Sequence, residues 1–191
     1  METTQSTISW IEYMQIIGPI FIGLVGVLVG VLLAFYNNKM TIENKQRDDE
    51  RAEIYKKLNE FYGPFEQLRK KSLRLYQLFT VGKDDSFRTL PALLRGEIFS
   101  ENNRKLLEEI IRIDEQLEKL ILDKSGLLDQ GEIRDLLAKA ATHFHIISLA
   151  FNGQLHGEPD RFNDYVFPRE LDGKISEQIN TLKERLKKMN G

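Results

Sequence analysis

The chain contains no cysteine. That absence removes thiol nucleophiles, disulfides and the common zinc-finger spacings together, and agrees with a reducing, cytoplasmic setting for the folded part. Histidine occurs only three times. His143 and His145 are two apart in a helical stretch, which turns them about 200° from each other, so they cannot share one metal ion. No serine sits in a Gly-x-Ser-x-Gly context, and no glycine-rich loop ends in Lys-Ser or Lys-Thr. The paired acids, Glu108 with Glu109 and Asp48 to Glu50, lie in charged helical faces that water explains. Neither charge dominates: 27 Lys and Arg stand against 29 Asp and Glu, so nothing at the level of the whole chain points to a nucleic-acid partner. Alternating Val/Ile/Thr runs long enough for a strand are also missing, as are internal repeats and low-complexity tracts. No enzyme activity, cofactor or metal is expected from this inventory.

What is present is one long uncharged run, "IIGPIFIGLVGVLVGVLLAFY", Ile16 to Tyr36. About 20 apolar helical residues at about 1.5 Å each cover the roughly 30 Å hydrocarbon core of a bilayer, so a transmembrane helix is expected over residues 14–37. A cleaved signal peptide fits poorly, because Glu2 and Glu12 precede the run without Lys or Arg and no small-x-small site follows it. Lys39, Lys45 and Arg47 follow the run against one acid, Glu43. They place residues 1–13 outside and residues 38–191 in the cytoplasm. Trp10, Tyr13 and Tyr36 stand where an aromatic belt would lie.

Within the run Gly23, Gly26, Gly30 and Ala34 follow at intervals of three, four and four, leaving one side nearly bare backbone. Such a ridge lets helices approach closely. Self-association is one reading; a lone anchor is the other, because glycine is common in membrane spans. A single helix cannot enclose a channel, so a pore would need a ring of copies. Its lining would be apolar or backbone, with Gln15, Asn37 and Asn38 as polar mouths.

Beyond the span the sequence reads as helix after helix, and the expected class is all-α: one N-terminal transmembrane helix, a helical stalk over 38–62 and a cytoplasmic four- to five-helix bundle. The stalk carries Ile54, Leu58 and Phe61 at helical spacing and is expected to end at "YGPF", with Gly63 closing one helix and Pro64 opening the next. The next helix places Phe65, Leu68, Ser72, Leu75, Tyr76 and Phe79 on one broad face. "TLPALLRGE" makes at most a short helical turn. A third helix starts after Ser100 as N-cap and runs to about Lys124, with Leu106, Leu107, Ile110, Ile113, Leu117, Leu120 and Ile121 as its apolar stripe. A fourth opens with Asp129 and Glu132 in capping-box spacing and reaches about Asn152. The last begins at Pro168 and carries Ile175, Ile179, Leu182, Leu186 and Met189. Two heptads favour bundle packing over a free coiled coil.

Two local patterns are candidates for contact with RNA. The cluster Arg69, Lys70, Lys71 and Arg74 could meet lipid headgroups, RNA or an acidic partner, although a solvated helix face explains it as well. In "FNGQLHG", Asn152 and His156 match the polar and His positions of the Arg, polar, three-residue, His motif of the HEPN ribonuclease superfamily. Phe151 occupies the Arg position, and an apolar ring cannot hold a phosphate.

The order of features is an acidic N-terminus, one glycine-bearing span, a stalk ending in "FYGPFEQLRKKSLRLYQLF", a helical bundle and a late "VFPREL". It resembles bacterial single-pass proteins with a cytoplasmic helical domain, and within them the small HEPN-like membrane accessory proteins of type VI-B CRISPR systems. The resemblance implies an oligomeric inner-membrane pore that depolarises infected cells and strengthens RNA-guided antiphage defence beside an RNA-targeting effector nuclease, with Phe151, Asn152 and His156 as a degenerate HEPN-like motif. A passive membrane-anchored binding module and a membrane-bound ribonuclease are the alternatives.

Overall fold

The computed structural model describes residues 10–128 and 131–190, and all their regular structure is helical. Six α-helices follow in order: α1 (Trp10–Lys57), α2 (Gly63–Phe79), α3 (Thr89–Leu94), α4 (Glu101–Asp123), α5 (Glu132–Phe151) and α6 (Glu170–Asn190). The chain divides into two compact units, Met1–Glu50 and Arg51–Gly191, with the division falling inside the segment 38–62. Residues 1–9 and Asp129, invoked above for the outer flank and the capping box, lie outside the described residues.

In the first unit one helix is long and apolar enough to cross a membrane, a test of length and composition that a signal sequence also passes. Among the described residues its apolar side chains are open: Phe21, Val27, Leu32 and Phe35 are each more than half exposed. A row of that kind has no place in water, because contiguous exposed apolar surface is normally covered by lipid or protein.

The helix does not stop at "YGPF" as the Gly-Pro pair suggested. Between α1 and α2 the backbone widens into a single π turn, Leu58–Tyr62, and continues as α2 without a break. Proline lacks an N–H and its ring crowds the carbonyl four residues back, which ordinarily kinks a helix. Widening the turn resolves this, and the Gly63 N–H reaches Leu58 O, five residues back. Gly63 keeps a helical φ of −64°, so it is not a helix terminus. Its lack of a side chain serves packing instead: a Cβ there would lie 2.9 Å from Leu58 O.

The second unit is a helical bundle in which α2 packs along α4, α4 along α5, and α6 against α2 and α5. One core gathers Ile54, Phe61, Phe65, Leu117, Leu137, Phe144, Ile175 and Leu182, all essentially sealed from water. Phe61 stacks on Phe65 with centroids 5.6 Å apart. The second core, at the other end of α2, joins Phe79, Leu90, Leu94, Leu107, Ile110 and Ile147. The stripes expected on α2, α4 and α6 are the faces that enter these cores, and Ile175, Ile179, Leu182 and Leu186 are bundle core.

Ser100 caps α4, its Oγ accepting from the Asn103 N–H at 3.4 Å. Gly131 holds the N-cap of α5 with φ +125°, so Glu132 is the first helical residue rather than the third. The last helix begins at Glu170, two residues after Pro168, whose carbonyl accepts from the Leu171 N–H at 3.0 Å.

Candidate functional site

In the first unit Gly23, Gly26, Gly30 and Ala34 are all exposed. A Cβ added at any of the three glycines would meet nothing within 4 Å. The small-residue face is therefore open along its length, and the same holds for the polar positions at either end, Gln15, Asn37 and Asn38, which are exposed. Just beyond, the Thr41 hydroxyl donates to Asn37 O at 2.8 Å.

In the second unit the expected basic cluster is not a free cationic surface. The Arg69 fork donates to both carboxylate oxygens of Asp172, Nε to Oδ1 at 3.0 Å and Nη2 to Oδ2 at 3.1 Å, while its guanidinium lies 4.0 Å from the Phe167 ring centre. Lys70 pairs with Glu66 at 2.9 Å and Lys71 with Glu109 at 3.0 Å. Arg74 is exposed. Charges matched in this way attract a polyanion only weakly.

Phe151, Asn152 and His156 are not arranged on a helix. Helix α5 ends at Phe151, which is half-buried against the second core, and Asn152 is the C-cap residue. Gly153 then takes φ +70°, turning the chain away, and His156 is exposed in the loop. The following Gly157 N–H donates to Leu94 O at 2.9 Å, which fastens this loop to α3.

The two other histidines point to separate partners. His143 Nδ1 lies 2.7 Å from Tyr165 O, the distance of an N–H to carbonyl bond in the neutral ring. Burial holds its pKa below the usual imidazole value, the Tyr165 carbonyl pulls the other way, and Arg69 adds to the depression. His145 Nδ1 is 3.2 Å from Glu118. Among the described residues no three His, Asp or Glu side chains gather to hold a metal ion.

A cavity of about 1160 Å³ opens between α2, α3, α4, α5 and the segment leading into α6. Asp114 of α4 belongs to its wall and is only 6 % exposed. The Ser72 hydroxyl donates to Asp114 Oδ1 at 2.8 Å. Burial raises the Asp114 carboxyl to about 7, against the lowering effects of the Ser72 bond and of Arg69. Thr89 of α3 also lines the cavity, and its buried hydroxyl has no hydrogen-bond partner among the described residues.

Of the cleft's lining, Arg69 and His143 carry sequence signals of their own, whereas Asp114, Ser72 and Thr89 belong to no motif. Ser72 falls on the apolar face of α2, where its hydroxyl draws no notice. One signal was available: Asp114 falls on the three-and-four repeat of Leu107, Ile110, Leu117 and Ile121, where a charge is out of place.

Comparison with protein-family models, with curated proteins and with solved structures gives no match for this chain.

Proposed function

We propose that the chain is a single-pass inner-membrane protein that assembles through its glycine face and acts on the membrane as an oligomer, without catalysing a reaction. The observation that carries this reading is the open row of Gly23, Gly26 and Gly30 on an apolar helix whose larger side chains are exposed. Close packing of several copies supplies the dispersion contacts that lipid tails give less well to a bare backbone. A ring of such helices encloses an uncharged passage between polar ends, and the basic residues after the span favour a cytoplasmic second unit. The setting, depolarisation of infected cells beside an RNA-guided effector nuclease, rests on likeness of layout alone.

The deciding experiment is the molar mass of the full-length protein in detergent, by light scattering corrected for the micelle, followed by ion flux from liposomes. A discrete ring-sized oligomer that conducts supports the proposal, and Gly26→Leu or Gly30→Leu should then abolish both while insertion persists. A monomer that carries no ions overturns it.

A second reading, a passive tether for a binding domain, is favoured by the cleft around Asp114. It predicts that an unrelated single transmembrane helix can replace residues 14–37 without loss of function.

A further inference from the structure

The cleft in the second unit lacks something that its own chemistry asks for. A buried carboxyl is stable as an anion only when a cation or several donors complete it. Asp114 has one donor, Ser72, and the nearest guanidinium, Arg69, directs both arms of its fork to Asp172. The Thr89 hydroxyl, in the lining of the same cleft, is also left without a partner among the described residues. Such groups in a core cost stability, and a cavity that collects them is the common form of a ligand site.

We propose that this cleft binds a small organic cation, an amine carried on a flat apolar body, with the ammonium on the Asp114 carboxylate and the body against the rings of Tyr76 and Phe162. Charge supports a cation over an anion at the floor of the site. The lining holds four basic side chains (Arg69, Arg88, Lys139 and Arg169) and four acidic ones (Asp114, Asp164, Glu170 and Asp172), so the cleft carries no excess positive charge to hold an anion. Of these groups, the pair Arg69 and Asp172 neutralise each other, while Arg88, Lys139, Arg169, Asp164 and Glu170 are exposed at the rim. The remaining wall is largely apolar, contributed by Leu73, Leu90, Ile110 and Ile147, and aromatic faces add attraction for an ammonium group. The Thr89 hydroxyl gives the ligand a second polar contact.

The proposal has a proton signature. The charged or titratable groups around Asp114 are Arg69 on α2, Arg88 just ahead of α3, Glu115 on α4, Lys139 and His143 on α5, Asp164 and Arg169 ahead of α6, and Glu170 and Asp172 on α6. An ammonium ion binds the ionised carboxylate, so binding displaces the proton that burial favours. Affinity therefore rises close to tenfold per pH unit below about 7 and levels off above it, until the amine itself loses its proton near about pH 10.

The test is calorimetric titration of the full-length protein in detergent with tryptamine and 2-phenylethylamine, each against its neutral alcohol counterpart, with empty micelles as blank. The expected result is at least tenfold tighter binding of the cations, proton release measured in two buffers of different ionisation enthalpy, and loss of the cation preference in Asp114→Asn. Ser72→Ala, which removes the one donor that favours the ionised form, should move the pH midpoint of binding upward. No binding at millimolar amine, equal binding of the alcohols, a preference that survives Asp114→Asn, or an unmoved midpoint in Ser72→Ala each overturn the assignment. Oligomeric state is read separately, so failure here leaves the proposed assembly untouched.

Discussion

The Ser72 hydroxyl donates to Oδ1 of Asp114 at 2.8 Å and joins α2 to α4 at a position where both helices otherwise present apolar side chains. The carboxyl is 6 % exposed and its pKa is raised to about 7, chiefly by burial. The native state therefore holds a proton between about pH 4 and 7 that the unfolded chain has released, and stability falls as pH rises through that window. Asn reproduces the protonated form. Asp114→Asn should leave stability near pH 4 little changed and raise it at pH 8, by an amount bounded by the three-unit difference in pKa at about 4 kcal/mol. Thermal melts of both proteins across that range check it; parallel curves would reject the linkage.

The opposite sign holds for His143. Its pKa is depressed by burial, so the ring stays neutral in the fold while the unfolded chain takes up a proton below about pH 6.5. Stability from this residue is present above that pH and is lost as pH falls. The ring also ties α5 to the backbone at Tyr165, ahead of α6. His143→Ala should speed amide exchange across residues 158–168 and flatten the acid limb of the stability curve. Mass spectrometry of hydrogen exchange at neutral pH reads the first effect, and unchanged exchange there would remove His143 as the fastening point.

The helical class and most of the core were legible in the sequence because a three-and-four repeat states which face is buried. Phe65, Ile113, Leu117, Ile175 and Leu182 all lie where that repeat puts them. "YGPF" reads as a break because Gly and Pro report local preference, whereas the buried Phe61, Tyr62 and Phe65 reward a continuous helix and a π turn removes the clash. The cleft escaped notice for a different reason. Asp114, Ser72 and Thr89 come from three helices and form no motif, and only the packing of α2 along α4 and of α3 on α5 brings them to one cavity. The basic cluster had the converse fate, since the partners Glu109 and Asp172 lie 38 and 103 residues away in sequence.

Arg69 and Asp172 form a two-pronged ion pair between α2 and α6, with the guanidinium also resting on Phe167. The Arg69 side chain is only 16 % exposed, whereas that of Asp172 is 38 % exposed and remains partly screened by water. A double-mutant cycle with Arg69→Met and Asp172→Asn should give a coupling of about 1 kcal/mol. Arg69→Met alone should cost more than Asp172→Asn, because only the arginine also loses its contact with the ring. Denaturant unfolding of the four proteins supplies the cycle; a coupling indistinguishable from zero would make the pair incidental to the docking of α6.

The π turn yields the most local prediction. A methyl group at Gly63 would sit 2.9 Å from Leu58 O, closer than a carbon and a carbonyl oxygen tolerate, and the atom it meets is backbone that cannot rotate away. Gly63→Ala should therefore destabilise by about 1 to 3 kcal/mol, although alanine is the better helix former by about 1 kcal/mol at an ordinary position. The strain has one route of relief, a shift of the turn that moves Phe61 and Tyr62 out of the core. Pro64→Ala tests the cause from the other side. It restores a backbone donor and removes the ring that forbids a regular turn, so the double variant Gly63→Ala/Pro64→Ala should recover much of the loss by returning Leu58–Tyr62 to α-helical bonding. Urea unfolding of the three variants measures this directly, and an unrecovered double variant would mean that aromatic packing, not proline, holds the turn open.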